Sequence, residues 1–294
     1  MKKKIIFKGV ATAIITPFLG GEIDYGALGK IIERQIEAGI NALVVGGTTG
    51  ECATLSLYEK HKLYAFAKEK TEGRVPLILG ASSNDTKSAA ELARYASKLG
   101  ADAILSVTPY YNKGTDEGLY THFATISESS SVPVILYNVP SRTCVNLPIR
   151  TVKRLAELEN IAAIKEADSS AERLMELSEL GEGLALYSGN DSLTYTTLSI
   201  GGLGVISVLS NALPEEMLKI TDSYFSGDMD SALREQKRLL PIIRAMFSET
   251  NPSPIKYAME YLNLASGALR LPLTEPKEST RELIKLELSR LKIR

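Results

Sequence analysis

The segment Ile-Ala-Ala-Ile-Lys-Glu-Ala, residues 161–167, is one of eight short apolar runs that decide the fold of this chain. Branched and small residues fill these runs, and longer stretches with helical periodicity separate them. The runs span residues 10–18, 42–47, 76–82, 103–111, 133–140, 161–167, 184–190 and 204–211. Successive runs begin about 20 to 34 residues apart, which is the length of a strand plus a crossover helix. We therefore expect strand and helix to alternate.

Helix boundary signals lie between the apolar runs. Asp24 is placed to open one helix, and Ser56 begins a capping box. Glycines at positions 39, 73 and 100 are placed to close others. Strands that alternate with helices predict a parallel sheet, and eight units at this chain length favour an α/β fold closed into a (β/α)8 TIM barrel. An open doubly wound sheet is the alternative.

A helical extension is expected after the eighth run. Helical periodicity marks residues 214–225, 229–248, 253–263 and 278–291. No low-complexity linker separates these segments from the barrel. We therefore predict a catalytic barrel domain over residues 1–225 and a C-terminal helical extension over residues 226–294, packed against the barrel or a partner subunit.

Composition and charge exclude several kinds of partner and site. The 294 residues are 44% hydrophobic, and the net charge of −1 provides no field that would attract nucleic acid or an anionic membrane. Lys8 interrupts the apolar run after the basic N-terminus, and no stretch approaches the roughly 20 apolar residues that cross a bilayer. We expect a cytoplasmic protein that binds neither nucleic acid nor membrane.

Metal chemistry has little support in the sequence. The two cysteines, Cys52 and Cys144, form neither a disulfide framework nor a metal cluster. The two histidines, His61 and His122, fall in predicted helices, and no set of Asp, Glu and His appears at the strand ends. We expect free thiols and no bound metal.

Lys165 is an unusual residue for an apolar strand. Alternation places Ala163, Lys165 and Ala167 on one face of the strand and Ile164 and Glu166 on the other. Burial among small neighbours disfavours the ammonium and lowers its pKa, which produces an amine that can attack a carbonyl. The alternative is a lysine that reaches solvent or pairs with Glu166.

Four further strand ends carry polar groups, and active sites of such barrels lie at the C-terminal ends of the strands. The second run leads into Gly-Gly-Thr-Thr-Gly-Glu, residues 46–51, which suits an anion or is only a helix capping box. The fourth leads into Thr-Pro-Tyr-Tyr-Asn-Lys-Gly, residues 108–114, and the fifth into Tyr-Asn-Val-Pro-Ser-Arg, residues 137–142. The seventh leads into Ser-Gly-Asn-Asp, residues 188–191, either a phosphate-binding turn or a helix cap.

Together these ends place an amine, phenols, threonines and an arginine around one mouth of the barrel. The amine can form an imine, a phenol can move protons, and backbone N–H groups with the arginine can bind carboxylates. The set predicts an enzyme for a carbonyl substrate that carries carboxylates. A noncatalytic ligand-binding barrel is the alternative from a different class.

These motifs, with Gly-Val-Ile-Ser-Val at residues 204–208, resemble the dihydrodipicolinate synthase family over essentially the whole chain. The glycine-rich loop and the lysine are shared with the wider superfamily of pyruvate-dependent aldolases and N-acetylneuraminate lyase, whereas Arg142 and the paired threonines are more specific.

The resemblance implies a Schiff-base lyase of the class I aldolase type. It would condense pyruvate with L-aspartate 4-semialdehyde to 4-hydroxy-tetrahydrodipicolinate, the committed step of lysine biosynthesis through diaminopimelate, without a metal or organic cofactor. N-acetylneuraminate lyase or a 2-keto-3-deoxy sugar acid aldolase is the alternative.

The resemblance also assigns roles to individual residues. Lys165 would form the imine with pyruvate, and protons would pass between Tyr137, Thr48 and Tyr111. In the family, the tyrosine that matches Tyr111 comes from a neighbouring subunit, so a homodimer would be the minimal active unit, usually doubled to a tetramer as a dimer of dimers. The substrate-binding residues would be Thr49 for the pyruvate carboxylate, Arg142 for the aldehyde carboxylate, and Gly189 and Ile206 lining the pocket.

Two departures from the family pattern lie close to these residues. Gly114 stands where the family often has proline, so the loop that carries Tyr111 is expected to be more mobile. Cys144 stands where glycine is common, which leaves the backbone geometry after Arg142 open.

The chain is expected to respond weakly or not at all to L-lysine as a feedback inhibitor. Asn84 and Tyr110 match the usual inhibitor site, but Leu57, Lys60 and Ser88 stand where lysine-sensitive members commonly have histidines and a glutamate. A cationic ligand gains little from that exchange. Activity measured against L-lysine concentration checks this, and half-inhibition below about 1 mM, an affinity near −4 kcal/mol, would contradict it.

Overall fold

The computed structural model describes residues 3–293, within which eight parallel strands close into a barrel. The barrel strands are β1 (Gly9–Ala13), β4 (Ala42–Val45), β5 (Leu77–Gly80), β6 (Ala103–Val107), β7 (Val134–Asn138), β8 (Ile161–Glu166), β9 (Ala185–Ser188) and β10 (Gly204–Ser207). Neighbours in the chain are neighbours in the barrel, and β10 pairs with β1 to close it. The predicted TIM barrel is confirmed, and the open sheet is wrong.

The strands are shorter than the apolar runs that predicted them. Several runs continue past their strands into buried residues of the following loop, such as Ile14, Ile15 and Thr108. Burial therefore extends the apolar pattern beyond the hydrogen-bonded ladder. A small antiparallel hairpin, β2 (Phe18–Leu19) with β3 (Glu22–Ile23), was not predicted, since its strands are too short to show alternation.

Helices follow the barrel strands and then form the C-terminal extension. They are α1 (Tyr25–Glu37), α2 (Leu57–Thr71), α3 (Thr86–Leu99), α4 (Asp116–Glu128), α5 (Pro140–Thr143), α6 (Ile149–Ala156), α7 (Ala171–Ser178), α8 (Thr194–Ser199), α9 (Pro214–Phe225), α10 (Met229–Met246), α11 (Ser253–Tyr261) and α12 (Glu278–Arg290). Asp24 caps α1, and Ser56 with Glu59 forms the capping box of α2, as predicted. No helix between residues 3 and 293 combines the length and the apolar character needed to cross a bilayer.

The four predicted C-terminal helices are present, and α10, α11 and α12 end one or two residues earlier than the periodicity indicated. Helix α9 packs against β1 and α10 packs against α9, so the extension continues the helical layer around the barrel. The division at residue 225 stays a prediction. Residues 1, 2 and 294 of the two proposed domains lie outside the described residues.

Two hydrophobic clusters divide the core. The larger one fills the space between the strands and the surrounding helices, with long aliphatic side chains. The smaller one fills the barrel interior and contains several alanines, namely Ala11, Ala13, Ala42, Ala103 and Ala163. At the N-terminal end of the barrel, Tyr187 stacks on Phe7 with ring centroids 4.1 Å apart and donates a hydrogen bond to the Phe7 carbonyl at 2.7 Å. Small interior side chains leave room for polar groups at the opposite end.

A buried ion pair ties the extension to the loop after β4. Glu51, at the end of that loop, pairs with Lys256 of α11, and both side chains are shielded from solvent. The ammonium of Lys256 also donates to the Ala268 carbonyl at 2.8 Å and lies 4.2 Å from the ring centre of Phe18. The backbone N–H of Arg270 donates to Glu51 at 3.0 Å. These contacts fix the loop that carries the paired threonines.

Replacing Lys256 by methionine is expected to lower the free energy of unfolding by about 3–5 kcal/mol, because the carboxylate of Glu51 is then buried without its cation. Denaturant unfolding followed by circular dichroism measures this loss. The matched control is Lys285→Met, which breaks an exposed pair with Glu282 and should change stability far less. Equal loss in the two variants would contradict the anchoring role of the buried pair.

Candidate active site

Lys165 points into the barrel from the C-terminal part of β8. It shares the interior with Ala163 and Ala167, as the alternation predicted, and is 5% exposed. Burial lowers the pKa of Lys165 to about 7; Asp191 acts in the opposite direction, and Arg142 lowers it further. A large share of this side chain is therefore a free amine at neutral pH.

Glu166 faces the other side of β8, where it binds Arg173. Its carboxylate accepts from Arg173 at 2.8 Å, from the Asn138 amide at 2.7 Å and from the Asp168 backbone N–H at 2.7 Å. A Lys165–Glu166 pair, the structural alternative from the sequence, is therefore wrong. The same contacts hold the strand end from which the Lys165 side chain projects.

Tyr137 lies next to Lys165 in the barrel. The two residues are paired in the register of β7 and β8, and the Lys165 ammonium nitrogen is 4.3 Å from the centre of the Tyr137 ring. Burial raises the pKa of Tyr137, while the charge of Arg142 and a hydrogen bond from Thr48 act to lower it. The phenol is thus neutral at pH 7 and is linked to Thr48, so it can both donate and accept a proton.

The loop that carries Thr48 needs an unusual backbone at its start. Gly46 has φ of +73°, and a Cβ there would collide with the hydroxyl of Tyr64, which donates to the Gly80 carbonyl at 2.7 Å. Glu51, at the other end, has φ of +52° and is held by its buried pair. The glycine-rich pattern therefore fixes the path of the loop.

Asn251 connects two of the predicted substrate-binding residues, and sequence reasoning missed it. Its side-chain N–H donates to the Thr49 hydroxyl at 3.0 Å, and its backbone carbonyl accepts from the Arg142 guanidinium at 2.9 Å. Asn251 lies between α10 and α11, so the extension contributes to the site. The Asn-Pro dipeptide at residues 251–252 signals a turn, but no local pattern links it to residues far away in the chain.

Tyr110 and Tyr111 differ sharply in exposure. Tyr110 lines the cavity at the barrel mouth, and burial raises the pKa of its phenol. Tyr111 is 90% exposed and has φ of +75°, a backbone conformation that is uncommon outside glycine. The predicted relay from Tyr137 through Thr48 to Tyr111 is therefore not assembled within a single chain.

Gly189 follows β9, and Ile206 lies within β10. The backbone N–H of Gly189 donates to the Glu166 carbonyl at 2.6 Å, and a Cβ there would lie 2.8 Å from that of Ala167. Ile206 is fully buried in the interior cluster. Glycine at position 189 thus permits β8 and the turn after β9 to approach closely.

Asp191 does not cap the helix that begins at that residue, so the helix-cap alternative is wrong. One oxygen of its buried carboxylate accepts the backbone N–H groups of Val208 at 3.1 Å and Leu209 at 2.9 Å. The donors belong to the chain after β10 rather than to the helix that begins at Asp191. Burial raises the pKa of Asp191, and Lys165 acts to lower it.

The barrel mouth opens into a cavity of about 550 Å³. Its walls include Thr48, Tyr110, Tyr137, Arg142 and Asn251, and a further part is lined by Leu57, Lys60, Ser88 and Glu91. The residues that were compared with the feedback site therefore border the same cavity. Within residues 3–293, no three His, Cys, Asp or Glu side chains are grouped to hold a metal ion.

The two residues that depart from the family pattern, Gly114 and Cys144, lie in different surroundings. Cys144 ends the short helix α5 with φ of +56°, the left-handed conformation that explains why glycine is common there. The loop after Arg142 thus keeps the glycine-type backbone despite the side chain. At Gly114, a Cβ would make only ordinary contact with Leu119 at 3.8 Å.

Comparison with known proteins agrees with the motifs and the fold. A sequence profile described as the dihydrodipicolinate synthetase family matches residues 6–291. The chain is 46% identical to the 4-hydroxy-tetrahydrodipicolinate synthase of Fervidobacterium nodosum over 95% of this chain and 96% of that protein. It is 44% identical to the enzyme of the same name from Acetivibrio thermocellus over 96% and 97%. The crystal structure of dihydrodipicolinate synthase from Aquifex aeolicus superposes with a TM-score of 0.96 at 40% identity, covering 98% of this chain and 99% of that one.

Proposed function

The chain belongs to the dihydrodipicolinate synthetase family, and we propose on that premise that its Lys165 joins pyruvate to L-aspartate 4-semialdehyde through an imine. The product is 4-hydroxy-tetrahydrodipicolinate, which is formed in lysine biosynthesis through diaminopimelate. The observation that carries the assignment of Lys165 is a buried amine whose pKa is lowered to about 7 beside a phenol. Such an amine is a nucleophile near neutral pH.

In the proposed reaction, the Lys165 nitrogen attacks the ketone carbon of pyruvate and water leaves. Tyr137 supplies and removes protons at this step, since its ring contacts the amine and Thr48 favours the deprotonated form of its hydroxyl. Loss of a methyl proton gives an enamine, whose carbon attacks the aldehyde of the second substrate. The amino group of that substrate then displaces Lys165 and closes the ring.

The two substrate carboxylates are assigned to neighbouring groups. Thr49 and the adjacent backbone would bind the carboxylate of pyruvate, and Arg142 would bind that of the semialdehyde. Arg142 uses one N–H for the Asn251 carbonyl, which orients the guanidinium and leaves its other donors for a carboxylate. Gly189 and Ile206 would complete the pocket.

The charge of Arg142 also bears on the competing function. A sugar acid aldolase of the same superfamily must bind a neutral polyol tail, for which a guanidinium at the cavity wall is poorly suited. A carboxylate-bearing aldehyde suits it better. We therefore favour the synthase over N-acetylneuraminate lyase and the 2-keto-3-deoxy sugar acid aldolases.

We further propose that the enzyme works as a homo-oligomer, a tetramer built as a dimer of dimers, in the cytoplasm. The proposal of a dimer is supported by Tyr111, whose side chain is 90% exposed in one chain and is therefore available to contact a neighbouring subunit. The unpaired cysteines, Cys52 and Cys144, suit a reducing compartment.

Borohydride reduction in the presence of pyruvate tests the imine. Peptide mass spectrometry is expected to find a pyruvate-derived mass on Lys165, and trapping should accelerate as pH rises through about 7, because only the deprotonated amine attacks. Lys165→Met is the control that should not trap. A coupled assay with L-aspartate 4-semialdehyde, compared with sugar acid cleavage, then separates the two aldolase functions. Absence of label on Lys165 would contradict the imine mechanism.

Mixing two inactive variants tests the shared site. Tyr111→Phe is expected to lose about 100-fold in activity through loss of a proton carrier, and Lys165→Met should be inactive. In a mixed dimer, one site has both the intact lysine and the intact tyrosine of its neighbour, so co-expression should restore about a quarter of wild-type activity, given isologous pairing. Analytical ultracentrifugation of each variant checks that assembly is unchanged. No recovery in verified mixed oligomers would place Tyr111 outside the neighbour's site.

A further inference from the structure

Asp191 is a buried carboxylate that the proposed reaction leaves without a task. It is 1% exposed and follows the end of β9. One of its oxygens accepts from the N–H groups of Val208 and Leu209, and Ser207 acts to lower the pKa that burial raises. The other oxygen, Oδ1, is buried and has no hydrogen-bond partner among residues 3–293. An ionised group in such surroundings is costly unless a charge of opposite sign lies near.

The nearby opposite charge belongs to Lys165. Glu166 pairs with Ser188 in the register of β8 and β9, so Lys165 and the turn that carries Asp191 lie at the same mouth of the barrel. Each of the two buried groups acts electrostatically on the other. Asp191 therefore interacts electrostatically with any charge that develops on the Lys165 nitrogen.

The other groups around Lys165 do not provide a negative charge. Arg142 carries a positive charge and opposes the ammonium. Tyr137 from β7 and Tyr187 from β9 face the same interior, but burial raises the pKa of both phenols, so they are neutral at pH 7. Among the described groups that act on Lys165, Asp191 is the one that favours a cation.

We propose that Asp191 is the fixed counter-charge of the protonated imine at Lys165, a positioning residue that does not contact the substrate. The inference rests on the proposed function. In imine formation the Lys165 nitrogen bonds to the ketone carbon of pyruvate, the ketone oxygen takes up protons and leaves as water, and the nitrogen retains a positive charge. A carboxylate already held by two backbone N–H groups stabilises that cation without rearrangement.

The counter-charge also explains how one site serves two charge states. Burial alone makes Lys165 a neutral nucleophile, but the protonated imine that follows must stay charged in the same apolar interior to withdraw electrons from the pyruvate methyl group. Asp191 offsets the burial of the cation, and Ser207 with the two N–H groups acts against the burial that raises the pKa of the carboxylate.

The test follows borohydride trapping of pyruvate on Lys165 across pH in the wild type and in Asp191→Asn. Asparagine keeps an oxygen for the two N–H groups but removes the charge. The midpoint of the trapping rate should then move to lower pH by about one unit, since loss of a nearby opposite charge disfavours the charged form of the amine. The yield of trapped imine should fall about tenfold, because one pKa unit corresponds to a tenfold change in stability of the cation.

Two variants make the result specific to charge at this position. Asp191→Glu keeps the carboxylate and should recover most of the trapped yield. The control variant Asp168→Asn removes a different carboxylate near the same strand end. The carboxylate of Asp168 accepts from the Asn146 amide at 2.7 Å on the outside of the barrel, so the midpoint of the trapping rate in this variant should match that of the wild type. Circular dichroism and thermal unfolding verify that each variant is folded.

An Asp191→Asn variant with the midpoint and yield of the wild type would overturn the counter-charge while leaving the proposed function intact. If that variant does not fold, Ser207→Ala takes its place, because Ser207 acts to lower the pKa of Asp191 and so favours the ionised carboxylate. It should shift the midpoint in the same direction by a smaller amount, and an unchanged midpoint overturns the inference. A wild-type chain that traps no pyruvate overturns the proposed function and this inference together.

Discussion

The burial of the Lys165 amine is the physical constraint on which the rest of the structure depends. A closed barrel excludes water from its interior, and the small side chains on the neighbouring strands leave space in which this one amine is shielded from solvent. Desolvation then keeps much of it deprotonated near pH 7. The neighbouring groups act on this amine. The Tyr137 ring contacts it, the Arg142 guanidinium lowers its pKa, and the Asp191 carboxylate limits how far that pKa falls.

The helical extension is part of the active site as well as a cover for the barrel. Lys256 of α11 anchors Glu51, and Asn251 binds Thr49 and Arg142. Both contacts fall on loops at the C-terminal ends of strands, where mobility would separate the catalytic groups. Rigid support from packed helices holds those loops in one geometry.

Much of the fold could be predicted because the pattern that specifies it is local. Eight apolar runs at crossover spacing and the caps at Asp24 and Ser56 are readable without knowledge of distant contacts. The polar residues at the strand ends could be predicted as site residues because active sites of such barrels lie at the C-terminal ends of the strands. Asn251 and the true partners of Asp191 could not be predicted, because their hydrogen bonds join residues that are far apart in the chain. Which tyrosine reaches which site also depends on an assembly that one sequence does not describe.

The double attachment of Asn251 has a thermodynamic consequence. Its side chain holds Thr49 while its backbone carbonyl holds Arg142, so the groups assigned to the two substrates share one support. A ligand that binds Thr49 or Arg142 would also order Asn251, and the loss of conformational entropy of Asn251 would then count against that first ligand alone. The second ligand would then bind to a support that is already ordered, which would give positive coupling between the two binding sites. By reciprocity, each substrate would increase the affinity for the other by the same factor.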